Sequence, residues 1–108
     1  GEVVVKQGNL AFHCEHLEAR YDKSGQLLEL KAKNQVRVSA PEWTAHADTA
    51  RYKKAADVLE LHGQPRVHRG GHWLEGKVIR IHLKEQRLII EEARGRFEAP
   101  PIPPLAQP

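Results

Sequence analysis

The feature that most constrains this chain is a passage it writes twice. Residues 17–36, LEARYDKSGQLLELKAKNQV, set against residues 48–67, DTARYKKAADVLELHGQPRV, share eight identities. They are Ala19/Ala50, Arg20/Arg51, Tyr21/Tyr52, Lys23/Lys54, Leu28/Leu59, Glu29/Glu60, Leu30/Leu61 and Val36/Val67. Alone, the second copy passes for a helix, being rich in Ala, Lys, Glu and Leu. The first copy excludes that reading, because its middle is Asp22-Lys23-Ser24-Gly25, a turn composition that breaks helices. On either side of the turn the apolar residues alternate: Leu17, Ala19, Tyr21, then Leu28, Leu30, Ala32. Period two is the mark of a strand with one buried face. Each copy is therefore a pair of strands around a turn. A third, worn copy starts near Gly76, where Arg80 and Leu88 match Arg51 and Leu59 and Ile79, Ile81 and Ile90 keep the apolar phase.

The rest of the chain reads the same way, as thirteen short strand runs separated by Gly, Pro, Asn or charged pairs. Strands at such intervals, in repeats of about 30 residues, predict an all-β fold of stacked antiparallel rungs, none able to bury its apolar side alone. Inside each rung the phase flips. Leu10, Phe12 and Cys14 share one parity and Leu17, Ala19 and Tyr21 the other; Trp43, Ala45 and Ala47 give way likewise to Ala50 and Tyr52. A strand that turns a corner, or ends and restarts, does this. The inward set is then Leu28, Leu30, Val36, Val38, Trp43, Ala45, Tyr52, Leu59, Leu61, Val67, Ile79, Ile81, Leu88, Ile90 and Phe97. The outward set is Glu29, Lys31, Arg37, Thr44, His46, Arg51, Glu60, Arg66, Arg80 and His82. Trp73 takes neither side, since Leu74 claims the inward parity of its run. Residues 1–98 form one domain, and 99–108, with the Pro-rich PPIPPLAQP, a mobile extended tail.

Composition removes several classes. No apolar run approaches the roughly 20 residues a membrane helix needs. The chain has no Met, so Gly1 is not a translation start, and the single Cys14 allows no internal disulfide. Seventeen Lys and Arg against 14 Asp and Glu permit an anionic partner without demanding one. His13, Cys14 and His16 suggest a metal site, but adjacent residues of a strand point to opposite faces. Catalysis by Cys14 with His13 or His16 lacks an Asn or Asp orienter at a recognisable place. RVHRGGH, with His68 and His72 beside Gly70-Gly71, has the look of a phosphate-gripping loop, yet no helix start follows to donate amides. No metal, cofactor or catalytic residue is assigned. Nothing in the sequence binds nucleotide.

With the strands in place, the order of motifs resembles a known family. GEVVVKQG, HLEARYD, LLELKAKNQVRV, AHADTARY, LELHGQPRV and LEGKVIRIHL together resemble the OstA-like domain of periplasmic proteins that export lipopolysaccharide to the outer membrane. The resemblance spans roughly residues 1–98, and its opening differs in starting directly at the GEVVVKQG strand. It implies a twisted, partly open β-jellyroll whose apolar interior shields the acyl chains of lipid A. Copies would stack head to tail, with one another or with other OstA-like domains, to bridge the inner and outer membranes. On that basis the lipid-lining residues are Val36, Val38, Trp43, Tyr52, Leu59, Leu61, Val67, Ile79, Ile81, Leu88, Ile90 and Phe97. The edge strands that meet a partner are Val3, Val4 and Val5 at one end and Leu88, Ile89 and Ile90 at the other. The expected protein is a periplasmic transport module and not an enzyme. Two other readings stand beside it. Arg66, Arg69, Arg80, Arg87, Arg94 and Arg96 suit a nucleic-acid-binding sheet, although the aromatics mostly fall inward and leave no stacking platform. A structural spacer with a closed core shares the same pattern.

Overall fold

The computed structural model describes residues 2–92 and 95–99, residues 92 and 95–99 as backbone alone. The inward placement of Phe97 and the tail beyond residue 99 lie outside what is described. Eleven strands follow in order: β1 Val3–Gln7, β2 Leu10–Cys14, β3 His16–Tyr21, β4 Leu27–Ser39, β5 Thr44–Lys53 and β6 Val58–His62. Then come β7 Arg66–Arg69, β8 His72–Glu75, β9 Val78–His82, β10 Arg87–Glu92 and β11 Gly95–Ala99. All neighbouring pairs are antiparallel.

Eleven strands stand where thirteen runs were expected, because two corners are turned without a break. QLLELKA and QVRVSA fuse into β4, and EWTAHAD and TARYKK into β5. In β4 the corner is a bulge: Lys33 pairs with Thr49 and Val36 with Ala47, leaving Asn34 and Gln35 against Asp48. Asn34 and Gln35 both take positive φ, 69° and 52°. The extra residue resets the side-chain parity and bends the ladder. Other strands break along the same line, β2 from β3 at Glu15 and β6 from β7 at residues 63–65. Backbone bonds stitch the line together, Glu15 N–H donating to the Asn34 carbonyl at 3.2 Å and Asp48 N–H to that of Gly63 at 3.1 Å.

The sheet thus folds over itself along this corner into two leaves. The first holds β1, β2, the end of β4, the start of β5, β7 and β8. The second holds β3, the start of β4, the end of β5, β6, β9, β10 and β11. Their inner faces meet in one apolar core, where Phe12 of the first leaf lies 6.3 Å, ring to ring, from Tyr52 of the second. Leu30, Val36, Val38, Trp43, Ala45, Tyr52, Leu59, Leu61, Val67, Ile79, Ile81, Leu88 and Ile90 are all buried. No polar side chain is buried among the described residues. Removing each large aliphatic side chain from water contributes about 1.5–3 kcal/mol, the main force closing the leaves.

Two placements differ from the sequence reading. Leu28 is 40% exposed, not inward. The β3–β4 register slips between Arg20 and Tyr21, so Tyr21 sits opposite Leu27 and Arg20 opposite Glu29, and Leu28 is left without a partner on the end strand β3. Leu88, Ile89 and Ile90 are not at an edge either. β10 pairs with β9 on one side and β11 on the other, so its backbone bonds are already used. The two ends of the stack instead present β1 and β3 at one, β8 and β11 at the other. Val3, Val4 and Val5 do lie on an end strand, paired with β2 alone.

Candidate functional site

The corner closes one long side of the two leaves; the opposite side is a seam of turns. First-leaf turns at Gly8-Asn9 and Ala40–Trp43 face second-leaf turns at Lys54–Asp57 and Leu83–Gln86. The second-leaf turns are equivalent in two copies of the repeat. Asp57 N–H donates to the Lys54 carbonyl at 3.1 Å and Gln86 N–H to that of Leu83 at 3.3 Å, with φ of 54° at both Asp57 and Gln86. Between the leaves these turns leave a cleft of about 440 Å³. That is within the range of ligand pockets, roughly 300–1,000 Å³.

The cleft is amphipathic from floor to rim. Leu10, Trp43, Tyr52, Ile81 and Leu83 supply the apolar part; Gln7, Glu42, Lys54, Asp57, Lys84 and Gln86 supply the polar part. Tyr52 spans both, its ring in the core and its hydroxyl 3.2 Å from Asp57 Oδ1. Burial, with help from that carboxylate, pushes the phenol above its ordinary pKa, so it stays a neutral hydrogen-bonding group. Such a site can hold a chain apolar at one end and charged at the other.

Of the residues expected to line a lipid path, Trp43, Tyr52 and Ile81 reach this cleft. Val36, Val38, Leu59, Leu61, Val67, Ile79, Leu88 and Ile90 lie deeper, packed on one another between the leaves. Leu10, Leu83, Lys54 and Lys84 were missed. Parity alone cannot find them, because Lys54, Leu83 and Lys84 sit in turns and Leu10 at a strand end, where periodicity stops.

The histidines and the cysteine are not brought together. Cys14 is buried in the core, where desolvation pushes its thiol up against weaker backbone hydrogen bonds with Lys33 and His16. A protonated thiol is neither nucleophile nor ligand. His13 lies on the other face, 3.6 Å from Glu2, and His16 pairs with Glu18 at 3.2 Å. Among the described residues no three His, Cys, Asp or Glu side chains converge as a metal site would need. Gly70 and Gly71, both at positive φ, form the two-residue turn of the β7–β8 hairpin. Trp73 points outward, 53% exposed, with its ring 4.6 Å from that of His68.

The arginines on the outer face of the second leaf are met by acids. Glu29 takes Arg20 and Arg51, and Glu60 takes Lys53, His62 and Arg80. Arg80 also pairs with Glu91. A surface so neutralised offers little to a phosphate backbone.

Comparison with known proteins agrees with this architecture. No curated protein matches the sequence. Among solved structures, the crystal structure of LptH from Pseudomonas aeruginosa, described as the LptA-homologous periplasmic component of the lipopolysaccharide transport device, superposes with a TM-score of 0.78. The match covers 93% of this chain and 80% of that one at 20% identity, a likeness of fold: the β-jellyroll. The model of the LptA/(LptD N-terminal domain) LPS transport protein family matches residues 1–87, and the chain belongs to that family of transport proteins.

Proposed function

We propose that this domain carries lipopolysaccharide by holding its acyl chains between the two leaves, with entry along the seam. The observation that carries the reading is the amphipathic cleft, apolar at Trp43, Tyr52 and Ile81 and rimmed by polar side chains that include Lys54, Lys84, Glu42 and Asp57. Each methylene taken from water contributes about 0.8 kcal/mol, so a few acyl chains bind firmly without any chemistry. Lipid phosphates stay at the rim, where Lys54 and Lys84 form charge-assisted hydrogen bonds. The deeper residues Leu59, Leu61, Ile79 and Ile90 line the path once the leaves part. Transport through the domain is passive, with direction supplied by a partner. In the periplasm, copies or other OstA-like domains add at the end strands β1 and β11, so that the apolar interior continues from the inner membrane to the outer.

The packing of Leu59, Leu61 and Ile79, each 0% exposed, favours a second reading, a spacer with a closed core. Photo-crosslinking in cells making lipopolysaccharide separates the two. A crosslinking residue at Trp43, Tyr52 or Ile81 gives lipid adducts, and one at the outward neighbours Arg51, Glu60 or Arg80 gives none. A closed core gives no adducts anywhere, and adducts without this alternation rule out the conduit.

A further inference from the structure

The outer face of the first leaf differs from that of the second. Register places Arg37 opposite His46 and His46 opposite Arg66, so three basic side chains stand in one cross-strand row. At the usual 4.7–4.9 Å strand spacing, the two arginines are about 10 Å apart at their backbones. Along the row His13 lies opposite Arg37, with Val4 beyond it, and Glu75 opposite Arg66. Both arginines are exposed, and neither joins an ion pair among the described residues; Glu75 does not close on Arg66. Where the second leaf sets Glu29 and Glu60 among its arginines, this face leaves Arg37 and Arg66 open. Like charges gathered on a sheet destabilise it, which makes such a row a feature in need of a partner.

An aromatic platform adjoins the row. The Trp73 ring, on the next cross-strand line, lies 6.0 Å from that of His46 and 4.6 Å from that of His68. Burial, then the charges of Arg66, Arg37 and His68, hold the His46 imidazole below its ordinary pKa, so that it is neutral at pH 7. A neutral imidazole between two guanidinium groups offers one further N–H without adding repulsion.

We propose that this face is a phosphosugar site: Arg37 and Arg66 grip the phosphate across His46, and Trp73 stacks on the apolar face of the attached sugar. The charge-assisted bonds suit a dianion and the exposed indole a rigid ring with an apolar face. The site lies on the side of the first leaf away from the core. Its ligand is therefore a water-soluble phosphorylated saccharide rather than a chain held between the leaves, and the inference stands apart from the proposed lipid path.

Titration of the protein with glucose 1-phosphate, inorganic phosphate and glucose tests it, following the His46 ring by NMR and Trp73 emission in a Trp43→Phe background. Glucose 1-phosphate raises the His46 pKa, because an added anion favours imidazolium, and changes Trp73 emission. Inorganic phosphate moves His46 and not Trp73; glucose moves neither. Arg37→Gln with Arg66→Gln weakens glucose 1-phosphate binding by about tenfold or more, the loss of two charge-assisted bonds. Its urea midpoint, no lower than the parent's because two like charges leave the row, shows that the fold is intact. No response of His46 in the unaltered protein overturns the site. Equal affinity for phosphate and glucose 1-phosphate overturns the sugar contact, and stronger retention on phosphatidylglycerol vesicles than binding of either overturns it in favour of a membrane surface.

Discussion

Tyr21 and Tyr52 hold the same place in two copies of the repeat, yet Tyr21 is 60% exposed and Tyr52 only 4%. The difference is position in the stack. Tyr52 lies on β5, between β4 and β6, and faces Phe12 across the core. Tyr21 ends β3, which pairs with β4 alone, at a register slip. Tyr52→Ala should therefore cost about 3–5 kcal/mol, as for other large aromatic truncations in cores, and Tyr21→Ala no more than about 0.5. Tyr52→Phe, losing the bond to Asp57 but not the ring, should cost about 1 kcal/mol. Urea midpoints of the three variants check this ordering. Similar losses at Tyr21 and Tyr52 would mean that the end of the stack is covered.

The corner depends on a second close relationship. Gly63 has φ of +81°, and a Cβ built on it would lie 2.5 Å from Asp48 Cβ. Gly63→Ala must strain the backbone and push the β5 corner away at once, costing more than about 1 kcal/mol. In an Asp48→Gly background the clash vanishes and the backbone strain remains. The double-mutant cycle should then return a coupling of about 0.5–3 kcal/mol, the range for residues in contact. Additive losses in urea denaturation would show that the two positions do not touch.

Much of this architecture is legible in the sequence, and what escapes it does so for physical reasons. Alternation sets the faces because strand side chains have period two, and the repeat ties Leu28–Leu30 to Leu59–Leu61. The parity flips announce the corner. What alternation cannot convey is where the stack ends. Leu28 carries the same pattern as Leu59 but has no strand beyond β3 to cover it. Leu88, Ile89 and Ile90 look like a terminal strand until β11 pairs with them. Asn34 reads as a break between two runs, whereas the chain passes through Asn34 and Gln35 at positive φ as a bulge inside one strand, β4. The cleft is hardest to foresee, because turns distant in sequence, from Gly8 to Gln86, build its rim.

Glu60 links stability to pH. Burial raises its carboxyl, but a hydrogen bond with His62, the charges of Lys53 and Arg80 and the bond from Arg80 outweigh it, and the native pKa is lowered. A lowered carboxylate stabilises the fold above its unfolded pKa, ordinarily about 4.3, and loses that contribution as pH falls through the native value. Glu60→Gln should thus be less stable than the parent near pH 7, with the gap narrowing as pH falls below the unfolded value of about 4.3. Urea midpoints across this range, in both proteins, measure it. A gap that is constant with pH would show that packing, not charge, sets the effect.

The two tryptophans turn the lipid path into a spectroscopic question. Trp43 lines the cleft at 6% exposure, whereas Trp73 stands on the outside of the first leaf at 53%. Collisional quenchers act over contact distances, so a spin-labelled stearic acid reports which indole meets the chain. In a Trp73→Phe variant, emission from Trp43 should fall saturably as the fatty acid enters beside Tyr52 and Ile81. In a Trp43→Phe variant, emission from Trp73 should hold steady over the same concentrations, although it is the more exposed ring. That inversion is the point of the comparison, because loose adsorption to a greasy surface would quench Trp73 first. Quenching of Trp73 before Trp43, or of neither, would leave the cleft without an acyl chain and the conduit without its entrance.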